Sequence, residues 1–336
     1  MAVAVPETAE PLLSVQHLSI GLPRRDGSWA LLVRDISFDV HAGVRYGLVG
    51  ESGSGKSMTL KAIAGLLPRG VAVMEGEAWF EGEDLLTMPA HRRRRIMGPR
   101  MAMIFQEPMT ALNPTMRVGK QIAEGPRRHL GLSKQAADEL AIEMIRRTGI
   151  PDPARRARAY PHELSGGLRQ RVMIAMALSC KPALVLCDEP TTALDVTVQD
   201  QVLRLLAQLC EEMGSALTFV THDLAVISQT CSRLSVMYAG RIMEKGGVRE
   251  VYRAPRHPYT EALFQSAPDF DEPHRDLVPI PGLPPSLTNP PPGCPFAPRC
   301  RYAVEACNAG PKPLTRVREG HLSACDRVGQ IFGGDS

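Results

Sequence analysis

The sequence predicts an α/β fold in which a parallel sheet is covered on both faces by helices. Three observations predict it. The run Ala183-Leu184-Val185-Leu186-Cys187 is unbroken and apolar, the character of a strand buried on both faces. Leu217-Thr218-Phe219-Val220 and Leu234-Ser235-Val236-Met237 repeat that character. Segments of helical periodicity lie between such runs, so strands alternate with helices.

Taken in order, residues 13–49 read as short strands around a loop at Pro23 to Ser28. The last of them, Arg45-Tyr46-Gly47-Leu48-Val49, is a buried strand that ends at a Gly-rich turn. A helix follows from Lys56 to about Leu67. A second helical block covers about Val118 to Gly149. Its clearest part starts at Ser133, an N-cap residue type, and places Ala137, Leu140, Ala141, Met144 and Ile145 on one face. It stops at Gly149, before Pro151.

Composition shifts near Gly246. The last 91 residues hold 15 of the 29 prolines and half of the 8 cysteines. A small Pro/Cys-rich C-terminal domain over 246–336 is expected, held together by something other than a large apolar core. The main domain then spans 12–245, with a helical subdomain at about 107–165.

Bulk properties narrow the function. Apolar residues make up 44% and charged residues 22%, and 39 basic against 36 acidic side chains leave a net charge of +3. That balance argues against nucleic acid as the main partner, since phosphate-backbone binders carry a strong basic excess. No apolar run reaches the roughly 18–20 residues that cross a bilayer. Met1 to Pro11 has no basic flank and does not read as a signal peptide. A cytoplasmic chain is expected, with any membrane role supplied by other subunits.

The Gly-rich turn carries chemistry. Gly50-Glu51-Ser52-Gly53-Ser54-Gly55-Lys56-Ser57 has two glycines at the P-loop spacing followed by Lys and Ser, between a strand and a helix. Glycines let the backbone curl so that N–H groups face phosphate oxygens, and the helix N-terminus adds positive dipole. Lys56 would reach the β- and γ-phosphates of a nucleotide and Ser57 would coordinate Mg²⁺, with Met58 continuing the site. The strand ending at Cys187 delivers Asp188 and Glu189 at its carboxyl end, where ligands bind in open α/β sheets. Two adjacent carboxylates gain separate tasks beside a Mg²⁺–nucleotide: Asp188 holds the metal and Glu189 polarises the attacking water as base.

These residues resemble the ABC (ATP-binding cassette) ATPase family, and the match runs through the core in order. Gln106 in Ile104-Phe105-Gln106-Glu107-Pro108 is similar to the Q-loop. Leu164-Ser165-Gly166-Gly167-Leu168-Arg169-Gln170-Arg171 is similar to the signature motif, Ala193-Leu194-Asp195 to the D-loop, and Thr221-His222-Asp223 to the switch histidine region. The resemblance implies a P-loop, RecA-like nucleotide-binding domain that hydrolyses ATP. It implies that Ser165, Gly166, Gly167 and Gln170 address the ATP of an opposing subunit, that Asp195 communicates across that dimer, that His222 contacts the γ-phosphate, and that Gln106 senses Mg²⁺. The family stacks an aromatic ring on adenine; the simplest alignment places Leu22 there, with Trp29 as substitute.

Further stretches resemble the dipeptide and oligopeptide permease branch, most of all its D-type dipeptide permease subunit. They are Phe105 to Pro114, Arg253-Ala254-Pro255-Arg256-His257-Pro258-Tyr259-Thr260, and Pro281 to Pro285 leading to Gly293-Cys294-Pro295-Phe296 and Arg299-Cys300. The branch implies a second ABC ATPase as heterodimer partner, two transmembrane permease subunits, an extracytoplasmic peptide-binding protein reached indirectly, and a peripheral place on the cytoplasmic face of the inner membrane. Importers of nickel or glutathione in the same branch are the alternative.

Cys294, Cys300, Cys307 and Cys325 form a cluster that, in a reducing compartment, points to a metal more than to disulfides. No tight C-x-x-C pair occurs, so a standard zinc ribbon does not fit. The resemblance implies a 4Fe–4S cluster on these four thiolates; structural zinc and free thiols stay open. Cys187 and Cys180 read as core residues. His91-Arg92-Arg93-Arg94-Arg95 reads as a solvated face, or as a contact for anionic headgroups.

Two other classes fit less well. Ribosome-acting relatives usually carry two cassettes, and this chain has one. DNA-end relatives place a long coiled coil between the Walker motifs, whereas Lys56 and Asp188 lie about 130 residues apart with no sustained heptads.

Overall fold

The computed structural model describes residues 10–190, 195–221, 223–266, 277–310 and 312–333. In chain order its strands are β1 (Leu13–Pro23), β2 (Trp29–Val40), β3 (Arg45–Val49), β4 (Ala72–Phe80), β5 (Glu83–Asp84) and β6 (Met101–Ile104). They continue with β7 (Leu184–Asp188), β8 (Ala216–Thr221), β9 (Arg233–Tyr238), β10 (Arg241–Gly247), β11 (Thr315–Arg318) and β12 (His321–Ser323). Two units organise them. One is built from Met1–Val40, Arg45–Thr87 and Val220–Ser336, the other from His41–Val44 and Met88–Phe219.

The first unit contains an antiparallel sheet in the order β2-β1-β4-β5. The core side chains of β1 are Leu13, Val15, Leu18 and Ile20, all at most 1% exposed. Strict alternation would break between residues 15 and 18. A register shift there, with His17 at φ 52°, absorbs the extra residue and returns Leu18 and Ile20 to the buried face. Across the sheet, Phe38 and Val40 of β2 and Phe80 of β4 complete the apolar layer.

The same unit holds strands ordered β11-β12-β10-β9-β3. β3 runs parallel to β9, with Tyr46 opposite Arg233 and Val49 opposite Val236. β9 and β10 form a hairpin whose two turn residues, Ala239 and Gly240, both have positive φ, as the turn matching strand twist requires. The C-terminal strand β12 then pairs with β10, Glu244 opposite Ser323. The Pro/Cys-rich residues thus join this sheet by backbone hydrogen bonding. At that seam the buried Glu244 carboxylate accepts from the N–H groups of Arg256 (2.7 Å) and His257 (2.9 Å) and from His321 Nε2 at 2.6 Å.

In the second unit β6 and β7 are parallel, Met101 opposite Leu184 and Ile104 opposite Cys187, and β8 lies next to β7. Every residue of β6 and β7 is buried, as the unbroken apolar runs require. Three helices, Val118–His129, Lys134–Arg147 and Gly166–Leu178, pack their apolar faces together. Ser133 caps the second of them, its hydroxyl accepting from Ala136 N–H at 3.2 Å, and Ala137, Ala141, Met144 and Ile145 are buried as the periodicity predicts. The helix Val196–Met213 ends at Gly214 in the left-handed region.

The helix after the Gly-rich turn spans Lys56–Ala64, shorter than expected, because Gly65 at φ 71° forms its C-cap. Cys180 lies two residues beyond the helix Gly166–Leu178 and is buried, as expected of a core residue. His91–Arg95 falls on the short helix Ala90–Ile96, which buries nothing. Among the described residues no helix is long and apolar enough to cross a membrane.

Candidate functional site

β3 ends at Val49 and the chain turns through Gly50 to Gly55 into the helix Lys56–Ala64. Gly50 has φ 149°, and a Cβ there would meet the Met237 carbonyl oxygen at 2.0 Å, so no other residue fits. Gly53 and Gly55 also take positive φ. Lys56 is buried and bends back over the turn, donating to Gly50 O at 2.8 Å and Glu51 O at 2.9 Å. The ammonium is thereby held inside the curl of backbone that a nucleotide phosphate would enter. Ser57 and Met58 start the helix behind it.

In the second unit, parallel pairing aligns the carboxyl ends of β6 and β7. Asp188 closes β7 and is 3% exposed; Glu189 follows with φ 44°. A non-glycine residue in the left-handed region is strained by roughly 1–2 kcal/mol, and such strain clusters at functional positions. The Gln106 side-chain amide donates to Glu189 Oε2 at 3.4 Å, so the residues expected as Q-loop and base are neighbours.

Ser165 is the N-cap of the helix Gly166–Leu178, its hydroxyl accepting from Leu168 N–H at 3.4 Å. Ser165 and Gly166 are exposed, which leaves this helix N-terminus open to an anion. Gly167 approaches Val198, whose Cγ1 would lie 2.9 Å from an added Cβ, and Gln170 is buried. Asp195 caps the helix Val196–Met213, accepting from Val198 N–H at 3.0 Å. His222, Ala193 and Leu194 lie outside the described residues.

Trp29 opens β2, is 41% exposed, and packs over Gly21 with Met74: a Cβ on Gly21 would meet Met74 Cγ at 2.9 Å and Trp29 Cε3 at 3.1 Å. Leu22, opposite Ala30, is 37% exposed. A half-exposed indole beside Met74 forms an apolar surface able to receive a flat ring.

The four C-terminal cysteines line one pocket of about 50 Å³, with Phe296, Tyr302 and His257. All four are free thiols. Burial pushes Cys294 up to about 11 and raises Cys300 and Cys325 as well. His257 Nδ1 accepts from Tyr259 N–H at 3.0 Å, while its buried Nε2 has no partner among the described residues. No three His, Cys, Asp or Glu side chains among the described residues are arranged to hold a single metal ion.

Sequence reasoning passed over Arg299 as a side chain. Its guanidinium is 4% exposed and forks onto the Glu51 carboxylate, at 2.7 and 3.1 Å. Tyr259, read only as part of a marker, accepts at Oη from Glu51 N–H at 2.9 Å. The partners are 248 and 208 residues apart, and no local pattern announces such pairs.

A glycine turn that holds a lysine inside it, an acidic pair at a strand's carboxyl end and a capped Ser-Gly-Gly helix define a nucleotide-hydrolysing cassette. Residues 33–192 match the ABC transporter family model, and residues 243–307 match that of the oligopeptide/dipeptide transporter C-terminal region. The chain is 45% identical to the oligopeptide transport ATP-binding protein OppD of Salmonella typhimurium over 324 residues, covering 96% of each. It is 48% identical to a putative peptide import ATP-binding protein of Brucella abortus, covering 96% of this chain and 98% of that one. The dimeric ATP-binding cassette MJ0796, solved in a post-hydrolysis state with ADP and phosphate, superposes with a TM-score of 0.63. It is 24% identical and covers 70% of this chain and 99% of that one. The chain belongs to the ATP-binding subunits of ABC transporters, in the oligopeptide/dipeptide family, and is an ATPase.

Proposed function

We propose that this chain powers the import of dipeptides and oligopeptides across the cytoplasmic membrane. The observation that carries the substrate class is the match of residues 243–307, outside the catalytic core, to the oligopeptide/dipeptide transporter C-terminal region. Near-complete alignment with proteins named for peptide transport supports it. The chain would sit peripherally on the cytoplasmic face of that membrane. It would pair with a second ABC ATPase and act on two permease subunits, an extracytoplasmic binding protein delivering the peptide.

In this reading Gly50 to Met58 and Gln106 bind MgATP, with Lys56 on the β- and γ-phosphates. Ser57, Gln106 and Asp188 hold Mg²⁺. Glu189 draws the proton from the attacking water and His222 contacts the γ-phosphate, while Trp29 covers the adenine. Ser165, Gly166, Gly167 and Gln170 serve the ATP of the partner subunit, and Asp195 links the two sites. The exposure of Ser165 and Gly166 supports that role, because a solvent-facing helix N-terminus has anion affinity.

For the C-terminal pocket we favour a 4Fe–4S cluster held by Cys294, Cys300, Cys307 and Cys325. A single tetrahedral ion with metal–sulfur bonds near ~2.3 Å would bring four sulfurs within about 4 Å of one another. A multi-iron cluster binds each thiolate on a different iron and leaves them farther apart. Four thiols lining one pocket supply the donor set that such a cluster takes. The unpartnered His257 Nε2 would be available as a donor to sulfur. The bound group would stabilise a segment with few large apolar residues.

The test is growth of an amino-acid auxotroph on peptides containing the missing amino acid. A strain lacking this gene, and lacking redundant peptide uptake, should grow with the wild-type copy and fail with Lys56→Ala. Equal growth in every strain would remove the peptide assignment, and nickel and glutathione uptake would then be measured.

A further inference from the structure

Glu51 sits immediately after Gly50 in the phosphate loop, a place where a free carboxylate would repel the nucleotide's phosphates. Both faces of the residue are held from the C-terminal extension. Arg299 Nη1 and Nη2 donate to Glu51 Oε2 and Oε1 at 2.7 and 3.1 Å, a bidentate fork. Tyr259 Oη accepts from Glu51 N–H at 2.9 Å. Arg299 is itself fixed on every side. It donates to Tyr238 Oη at 3.1 Å, to Pro281 O at 2.8 Å and to Ile280 O at 3.3 Å. Tyr238, Tyr259 and Phe296 pack ring to ring, with centroids 4.5–5.4 Å apart. Burial alone would lower the basicity of the guanidinium, yet the hydrogen bonds to Glu51 and Tyr238 more than offset it and raise the pKa.

Arg299 belongs to the 3₁₀ turn Ala297–Arg299, which Cys300 follows. Phe296, Ala297 and Cys300 line the cysteine pocket. The wall of that pocket and the anchor of the phosphate loop are one short, rigid turn.

We propose that the C-terminal extension sets the ATP affinity of this subunit, with Arg299 as a positioning residue that neutralises and aims Glu51. The fork holds the carboxylate away from the space above the loop, and Tyr259 fixes the backbone at its first turn. The inference rests on the reading of residues 50–57 as the ATP site; it is independent of which group fills the cysteine pocket.

The experiment is equilibrium binding of MgATP, followed with a fluorescent ATP analogue on the full-length chain, together with KM and kcat in the assembled complex. Arg299→Met should weaken binding about tenfold and raise KM with kcat held within about twofold, a loss of roughly 1.4 kcal/mol. Adding Glu51→Gln should recover most of that loss, because the charge that Arg299 offsets is then gone. Arg299→Lys keeps the charge without the fork and should fall between. A merely structural Arg299 predicts the opposite for the pair, with the double variant as weak as Arg299→Met or weaker. Unchanged binding in Arg299→Met, or no recovery on adding Glu51→Gln, overturns the proposal. If Arg299→Met does not fold by its thermal melt, Arg299→Lys carries the test: binding equal to wild type overturns the proposal, and recovery of a loss by Glu51→Gln supports it. Lys56→Ala is the control for the site itself. If it binds ATP like the wild type, the reading of the loop fails, not the role of Arg299.

Discussion

Gln106 donates its side-chain amide to the Glu189 carboxylate across 3.4 Å, joining the second residue after β6 to the first after β7. Parallel pairing of the two strands brings them together, since Ile104 lies opposite Cys187. The hydrogen bond places the residue proposed as Mg²⁺ sensor against the residue proposed as base.

Glu189→Gln should abolish turnover without abolishing nucleotide binding. The amide keeps the side chain's volume and an oxygen that can accept from Gln106, and removes only the base. Loss of a positioned base is worth roughly 10²–10⁴ in rate. Single-turnover hydrolysis at the site built on this chain should fall by about that factor while ATP remains bound. Hydrolysis at the wild-type rate would assign the base elsewhere.

Gly50→Ala and Gly53→Ala separate close approach from backbone conformation. At Gly50 the added methyl would lie 2.0 Å from Met237 O, whereas at Gly53 it meets nothing within 4 Å. Chemical denaturation should show Gly50→Ala less stable by at least about 3 kcal/mol, the range of backbone-incompatible substitutions. Gly53→Ala, carrying only the positive-φ penalty, should lose about 1–2 kcal/mol. Similar losses in both would contradict the clash.

Trp29→Ala should weaken ATP binding roughly two- to twelvefold, as the loss of about 0.5–1.5 kcal/mol of stacking implies. Trp29→Phe should keep most of the affinity. Titration of each variant with ATP decides; an unaffected Trp29→Ala would remove Trp29 as the adenine platform and return the role to Leu22.

The cysteine pocket makes a compositional prediction. Chain purified without oxygen should contain iron and inorganic sulfide in equal amounts and absorb visible light. Cys294→Ser should lose both and melt at lower temperature, because the proposed cluster would contribute to the folding energy. One zinc per chain and no sulfide would replace the cluster by a structural ion, and neither metal would leave four thiols.

What the sequence disclosed was local. Gly50 to Ser57 states its fold in eight consecutive residues, and the apolar run ending at Cys187 places Asp188 and Glu189 at a strand end. Ser133 could be read as a cap because the apolar period begins just after it, and the hydroxyl does bond Ala136 N–H. The phase break in β1 was also on the page, in the spacing of Leu13, Val15, Leu18 and Ile20, though it reads as a bulge only once the partner strands are known. Long-range polar pairs were not legible. Nothing near Arg299 announces that it meets Glu51, and nothing near Glu244 announces His321, Arg256 and His257. Such pairs depend on how C-terminal strands return to β10, which periodicity does not encode. The 3₁₀ turn at Ala297–Arg299 has only three residues, too few to show a period.

Whether ATP hydrolysis by this chain moves peptides is decided by reconstituted transport. The chain is placed in proteoliposomes with the second ATPase and the two permease subunits proposed for it, and uptake of a labelled tripeptide presented with a peptide-binding protein is followed with ATP on the nucleotide-binding side. Accumulation should require hydrolysable ATP and be lost when this chain carries Glu189→Gln. ATP hydrolysis without any peptide accumulation, or accumulation unchanged by Glu189→Gln, would contradict it.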